Sequence, residues 1–447
     1  MKIIQFEDKP LAHYSYAILS KGKMALVDPS RDPKQYYQLA EKYNSKITAV
    51  FETHPHADFV SSHLQIHKET GATIYVSKMV GANYPHKTFD DSDTFNLGDV
   101  TFSAINTPGH SPDSITIIAK DKESHAMFSG DTLFIGDVGR PDLREKSGNM
   151  KAKREELAKS MYHTMQTKFN DLPDDTVVYP AHGAGSLCGK NMSSDSSSTL
   201  GRERKENWAF KSLSEDKFVS HILADQPFIP SYFGFNVDIN KIGADNFEKN
   251  IARPEFHFKV NDIQDKDVLY IDVRDEAQFK QKHISGSFNI MAETEDDKFE
   301  TWLGSIVKPE EKFCVVLKSV EDKDEILHRI AKIGYEKQLI GLLTLDHSSF
   351  ETFEKLNLKN FKKHPDHYTI VDIRNKSEVE EEQYFENAIS HPLNELRDTA
   401  NEIPKDKPIV VHCAGGYRSA AGSSILQKAL EGVKVYDLSD DIEQFKD

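Results

Sequence analysis

Four short segments carry side chains that bind metal ions. His54-Pro55-His56-Ala57-Asp58 comes first, followed by His110 in TPGHS, Asp131 in FSGDT and His182 in YPAHG. Imidazole and carboxylate are good ligands for first-row metals, and ligands far apart in sequence reach one ion when rigid strands present them along one sheet edge. A lone His-x-His pair is weak ground for a metal; the ordered series, each member after an apolar run, is strong ground. A second reactive group stands near the C-terminus, where the apolar run KPIVVH leads into Cys413-Ala414-Gly415-Gly416-Tyr417-Arg418-Ser419 and then a helix-like SAAGSSILQKAL. Small residues let backbone N–H groups turn inward around a sulfur, and a helix start adds partial positive charge. Such a loop stabilises a thiolate or a persulfide on Cys413 and makes it a nucleophile, while Arg418 supplies a cation for an anionic donor or acceptor.

The elements that must position these groups are short. Residues 1 to about 185 read as β-rich runs, among them ITAVFETH, ATIYVS, VTFSAINTPG, SITIIAK and TVVYPAHG, with turns and a few helical stretches between them. The polar motifs sit just after the runs, which predicts an α/β sandwich of sheets flanked by helices. The Ser- and Gly-rich stretch SLCGKNMSSDSSSTLGRERK reads as a loop, with helix resuming at ERKENWAFKSL. DVLYIDVR and YTIVDIRN then open two units of the same shape: strand, Asp-x-Arg, acidic helix, second strand, and a helix ending near Gly334 or Gly432. Alternation of that length predicts small parallel sheets wrapped by helices. The expected division is 1–250, 251–350 and 351–447. In the earlier copy Lys318 stands where the cysteine belongs, so that copy is expected to be inert, with Cys314 a buried thiol in its strand.

Composition excludes several classes. The chain has 447 residues, 38% hydrophobic and 29% charged, with a formal charge of −16. That balance predicts several folded cores and argues against a nucleic-acid groove or an anionic membrane as partner. The first residues show no leader pattern, and no run reaches the roughly 18 apolar residues of a membrane span. Three scattered cysteines suit a reducing compartment, so a cytoplasmic location is expected.

THPHAD, TPGHS, SGDT and YPAHG together resemble the ordered motifs of the metallo-β-lactamase fold, over roughly residues 1 to 245. Hydrolases of that fold usually carry His-x-His-x-Asp-His, which builds two metal sites; here the last position is Phe59. The pattern is similar to the persulfide dioxygenases of that superfamily. The resemblance implies one Fe(II) per chain, held by His54, His110 and Asp131, with open positions for O₂ and a persulfide sulfur. It makes His56, Asp58, His182 and Tyr179 candidates for orienting ligands or bound water. The segment GDTLFIGDVGRPDL resembles the same group and makes Arg140 a candidate for substrate contact; Cys188, in the Ser-rich stretch, is a candidate for carrying or resolving a persulfide. CAGGYRS resembles the active loop of rhodaneses, with VDIRNKSEVEE as their bracing Asp-x-Arg segment.

The whole chain thus resembles a fusion of a persulfide dioxygenase with a degenerate and an active rhodanese. The activity this implies is oxidation of a low-molecular-weight thiol persulfide, of glutathione, coenzyme A or bacillithiol type, to sulfite, followed by sulfur transfer from Cys413 to give thiosulfate. The inert copy invites a homo-oligomer interface. Two other readings stand beside it: a zinc-dependent thioester hydrolase of the hydroxyacylglutathione type, and a noncatalytic sulfur-relay or persulfide-sensing protein.

Overall fold

The computed structural model describes residues 1–143, 154–257, 263, 267–345 and 350–446. The chain divides into two compact units, Met1–Asn250 with Ala331–Gly334, and Ile251–Ile330 with Tyr335–Asp447.

In the first unit, β1 (Lys2–Asp8), β2 (His13–Ser20), β3 (Lys23–Val27), β4 (Lys46–Phe51), β5 (Thr73–Val76) and β6 (Lys87–Thr88) form a sheet in sequence order. Pairing is antiparallel from β1 to β3 and parallel from β3 to β6. A second sheet runs β12-β11-β10-β9-β8-β7, built from β7 (Thr94–Leu97), β8 (Val100–Asn106), β9 (Ile115–Lys120), β10 (His125–Gly130), β11 (Val177–Pro180) and β12 (Ser198–Thr199). Successive side chains of a strand face opposite ways. Tyr16 and Ile18 therefore join Phe51, Phe102, Ile117 and Phe128 between the sheets, while Ala17 and Leu19 pack outward with Tyr36, Val50 and Ile66. On the outer side of the second sheet, Met127 and Val178 meet Met161 of the helix Arg154–His163 and Phe218 and Ile222 of the helix Glu215–Leu223. Burial on both faces is why these strands read as continuous apolar runs. The order of layers is helix, sheet, sheet, helix, the expected sandwich.

The Ser-rich stretch is shorter as a loop than its composition predicts. Thr199 Oγ accepts the N–H of Arg202 and starts a helix at Leu200–Glu206, ahead of the position where the helical pattern becomes visible.

The second unit holds two parallel sheets. One runs β13-β17-β16-β14-β15, from β13 (Glu255–His257), β14 (Leu269–Asp272), β15 (Phe288–Asn289), β16 (Phe313–Leu317) and β17 (Leu339–Thr344). The other runs β19-β18-β20-β21, from β18 (Thr369–Asp372), β19 (Ile389–Ser390), β20 (Ile409–His412) and β21 (Val435–Asp437). The repeat is visible in its braces. Arg274 Nη2 bonds Asp272 at 2.6 Å and the carbonyl of Lys282 at 2.8 Å; Arg374 Nη2 bonds Asp372 at 2.7 Å and the carbonyl of Glu382 at 2.7 Å. Each pair ties a strand end to the end of the helix that follows. Among the described residues no helix is long and apolar enough to cross a membrane.

Candidate metal centre and sulfur loop

The four histidine and aspartate segments follow β4, β8, β10 and β11, and the sheet edges bring them together. One donor atom from each of His54, His110 and Asp131 lies within 4.8 Å of the others, and all three residues are buried. Asp131 Oδ2 faces Nε2 of His54 at 3.7 Å and Nε2 of His110 at 3.5 Å, and among the described residues it accepts no hydrogen bond. An unsatisfied buried carboxylate oxygen between two imidazoles is a costly arrangement for a purely structural cluster, and it fits a cation placed among the three. The donor set of two nitrogens and one oxygen suits iron and zinc alike.

Asp131 has a second neighbour. Its Oδ1 lies 2.7 Å from His182 Nδ1, and Asp58 Oδ2 lies 2.7 Å from His182 Nε2. Burial opposes charge on His182, but the two carboxylates overcome it and raise its pKa well above the ordinary value. The converse holds for Asp131: burial raises its pKa, and His182, His110 and His54 together pull it well below the usual carboxylate range. His182 thus acts as a clamp between two acids. The same side chains also form overlapping groups, His56 with Asp131 and His182, and Asp58 with His182 and Cys188, each within 4.8 Å. Cys188, expected near the centre, is therefore brought to it. Burial, then Asp131 and Asp58, push its thiol pKa well above the ordinary value.

Phe59 fills the place beside these groups, its ring 3.9 Å from that of His13 and 4.5 Å from that of His56, centroid to centroid. His13 is fully buried at the start of β2, and burial followed by His182 and His56 keeps its pKa well below the ordinary value. Sequence reasoning missed it, as it missed Asp28. Asp28 Oδ1 accepts the N–H of Thr53 at 2.8 Å, its Oδ2 accepts the Thr53 hydroxyl at 2.8 Å, and that hydroxyl lies 3.1 Å from His54 Nδ1. A signal existed: Asp28 follows the apolar run KMALV, the same strand-end placement as the other polar motifs.

Two candidates land elsewhere. Tyr179 stacks on Phe128 at 5.5 Å and meets Tyr16 at 5.3 Å, so its ring packs with the intersheet core instead of donating to the centre. Arg140 is 1% exposed and its guanidinium is fully engaged: Nε and Nη2 bond Asp142 at 2.6 and 2.7 Å, and Nη1 bonds the carbonyl of Leu187 at 3.2 Å. With its own N–H on the carbonyl of Cys188 at 2.9 Å, Arg140 fastens the Cys188 loop and is not presented to a substrate.

In the second unit Cys413 follows β20 and is 2% exposed. The N–H of Gly416 donates to its sulfur at 3.2 Å. Gly416 has φ +92, and a Cβ there would lie 2.6 Å from Asp440 Oδ1, so the turn needs glycine twice over. Gly415 is exposed, Ala414 partly so, and the helix Tyr417–Ala429 begins directly after, its N-terminus at the sulfur. Ser419 Oγ bonds back to the carbonyl of Gly416 at 2.8 Å, and Tyr417 Oη donates to the carbonyl of Met291 in the earlier copy at 3.0 Å. Arg418 is not the open cation its position implies: both terminal nitrogens are taken by Glu378.

Known proteins share these features. The metallo-beta-lactamase superfamily profile matches residues 8–182, and the rhodanese-like domain profile matches residues 259–343 and 355–447. A probable hydroxyacylglutathione hydrolase of Schizosaccharomyces pombe is 31% identical over 176 residues, 38% of this chain and 63% of that protein. The mitochondrial persulfide dioxygenase ETHE1 of Homo sapiens is 30% identical over 147 residues, 32% of this chain and 52% of that protein. The chain thus spans between half and two thirds of these curated relatives. The crystal structure of a metallo-beta-lactamase from Staphylococcus aureus subsp. aureus COL superposes with a TM-score of 0.69 at 30% identity, over 77% of this chain and 99% of that one. The buried His/Asp centre between two sheets and the cysteine loop after a parallel strand agree with that likeness, and the chain belongs to the metallo-beta-lactamase superfamily, with rhodanese-like domains following the metal-binding fold.

Proposed function

We propose that the first unit is an Fe(II)-dependent persulfide dioxygenase and that Cys413 is a sulfur carrier acting on its product. The observation that carries the first half is the buried triad His54, His110 and Asp131 with His182 held between Asp131 and Asp58 and Phe59 in place of a further ligand. A histidine engaged by acids on both ring nitrogens is a support for the centre, and the likeness to a persulfide dioxygenase supports the same reading. Ferrous iron, when bound, supplies positions for O₂ and a sulfur ligand together with the electrons that activate oxygen.

The residues of the chain do the rest. Asp28 and Thr53 fix the orientation of His54, and His182 fixes that of Asp131. Phe59 and the neutral ring of His13 keep the adjoining space dry. The balance is one persulfide, one O₂ and one water giving one thiol, one sulfite and two protons. In the second unit the Cys413 thiolate takes the outer sulfur of another persulfide and releases its thiol. Sulfite then attacks that sulfur and leaves as thiosulfate. Linking the two activities in one chain raises the concentration of sulfite near its acceptor. The substrate class is a low-molecular-weight thiol persulfide, and the division near residues 250 and 350 belongs to the same reading.

A second reading has its own support. His56, Asp58 and Cys188 place further donors beside the triad, and a hydroxyacylglutathione hydrolase is among the relatives, so a zinc thioester hydrolase is the alternative. Loading the purified chain with Fe(II) or Zn(II) and assaying each form with glutathione persulfide and with a hydroxyacylglutathione thioester decides between them. The iron form is expected to turn over persulfide; fast thioester hydrolysis by the zinc form, with inert iron protein, would overturn the proposal.

A further inference from the structure

The cation that the sulfur loop offers to an anionic substrate is already occupied. Arg418 Nη1 donates to Glu378 Oε2 at 2.6 Å, and Nη2 donates to Oε1 at 2.7 Å, a two-pronged pair. Glu378 stands in the first turn of the helix Lys376–Glu381, and its Oε2 also accepts the N–H of Asn375 at 3.0 Å. That capping bond fixes the carboxylate in place, so the pair is a built feature and not a chance surface contact. Burial opposes charge on Glu378, but Arg418 overcomes it and holds the carboxyl below its usual range, so both partners are charged at neutral pH. The side chains are 16% and 33% exposed, open enough for a small ion to reach them.

We propose that Glu378 is a specificity-determining residue of the sulfur loop, masking Arg418 so that an anionic acceptor such as sulfite must compete with a carboxylate for that cation when it attacks the sulfur on Cys413. The proposal rests on the reading of Cys413 as a sulfur carrier and names what governs its acceptor. In the transfer, the sulfur lone pair of sulfite forms a bond to the outer sulfur of the persulfide. The bond from that sulfur to Cys413 breaks, and its electron pair stays on the cysteine as thiolate. Two anions meet in this step, and a free guanidinium beside them lowers the repulsion. Pairing with Glu378 cancels that help until the acceptor replaces the carboxylate on the guanidinium. A thiol acceptor such as dithiothreitol, which is mostly protonated at neutral pH and loses its proton to solvent as it attacks, competes far less with the carboxylate for the guanidinium.

The test uses the full-length chain with Cys413 loaded by glutathione persulfide, and measures KM for sulfite and for dithiothreitol as acceptors. Glu378→Gln keeps the capping bond and removes the charge. It is expected to lower the ratio of the sulfite KM to the dithiothreitol KM by about three- to tenfold. In an Arg418→Met background the same substitution should move the ratio far less, which separates unmasking of Arg418 from simple loss of a negative charge. Glu378→Asp, whose shorter arm cannot span both nitrogens, gives a smaller fall and serves if the glutamine variant does not fold. An unchanged or higher ratio in a variant that still loads sulfur would overturn the role of Glu378 alone. Mass analysis of Cys413 guards the premise: a parent chain that gains no sulfur from persulfide sinks the sulfur-carrier reading and this proposal with it.

Discussion

Cys413 and the donors around Asp131 divide the chemistry between a thiol and a metal, and each side has a substitution that reads it separately. Cys413→Ser is expected to abolish thiosulfate while leaving sulfite formation from persulfide in place, as followed by product analysis of the iron-loaded chain; undiminished thiosulfate would remove the role assigned to the thiol. Asp28 reaches His54 through Thr53 and lies 3.3 Å from His56 Nε2, so Asp28→Asn should weaken metal binding by about 10- to 100-fold without removing a ligand of the triad, measured by metal titration against a chelator. An unaltered affinity would show that the Asp28–Thr53 link is idle. The histidines and Asp131 were legible because type and spacing announced them. Asp28 was not, because one aspartate after a strand looks like any turn residue. Arg140 and Arg418 were legible as cations but not as engaged ones, since their partners Asp142 and Glu378 are ordinary acids in sequence.

Strands set the geometry of the centre, and close approaches between their loops leave no slack. Gly139, after β10, has no ligand atom, yet a Cβ there would stand 1.9 Å from the carbonyl oxygen of Asp131 and 3.0 Å from His110 Nδ1. Gly139→Ala is therefore expected to displace both loops and to cost at least about tenfold in metal affinity, together with roughly 1–3 kcal/mol of stability from overpacking. Denaturant melts and metal titration read the two effects; a variant with the affinity of the parent would mean that the loops yield. The placement of polar motifs after apolar runs was enough to foresee a two-sheet sandwich, because strands buried on both faces advertise themselves. The start of the helix at Leu200 was hidden, since it depends on one threonine capping bond inside a Ser-rich stretch.

For the molecule as a whole, acid should be damaging before the carboxylates titrate. His63 is fully buried, and burial followed by Arg31 lowers its pKa from 6.5 to about 3. Between those values the unfolded chain takes up a proton that the folded chain refuses, so stability falls as pH drops through 6.5 and keeps falling towards 3. Urea midpoints measured across this range should show the slope, and His63→Gln should flatten it; an equal slope in the variant would exclude His63 as its source. The repeat of strand and Asp-x-Arg made both small parallel sheets legible, and the loss of cysteine at Lys318 distinguished the copies. The reaction itself was less legible, because one set of buried imidazoles and carboxylates serves oxidation and hydrolysis alike. The most direct test is O₂ uptake by iron-loaded Cys413→Ser protein, in which the metal centre works alone. The account predicts that each glutathione persulfide consumed takes one O₂ and yields one sulfite; persulfide left intact, with no O₂ taken up by protein shown to hold iron, would contradict it.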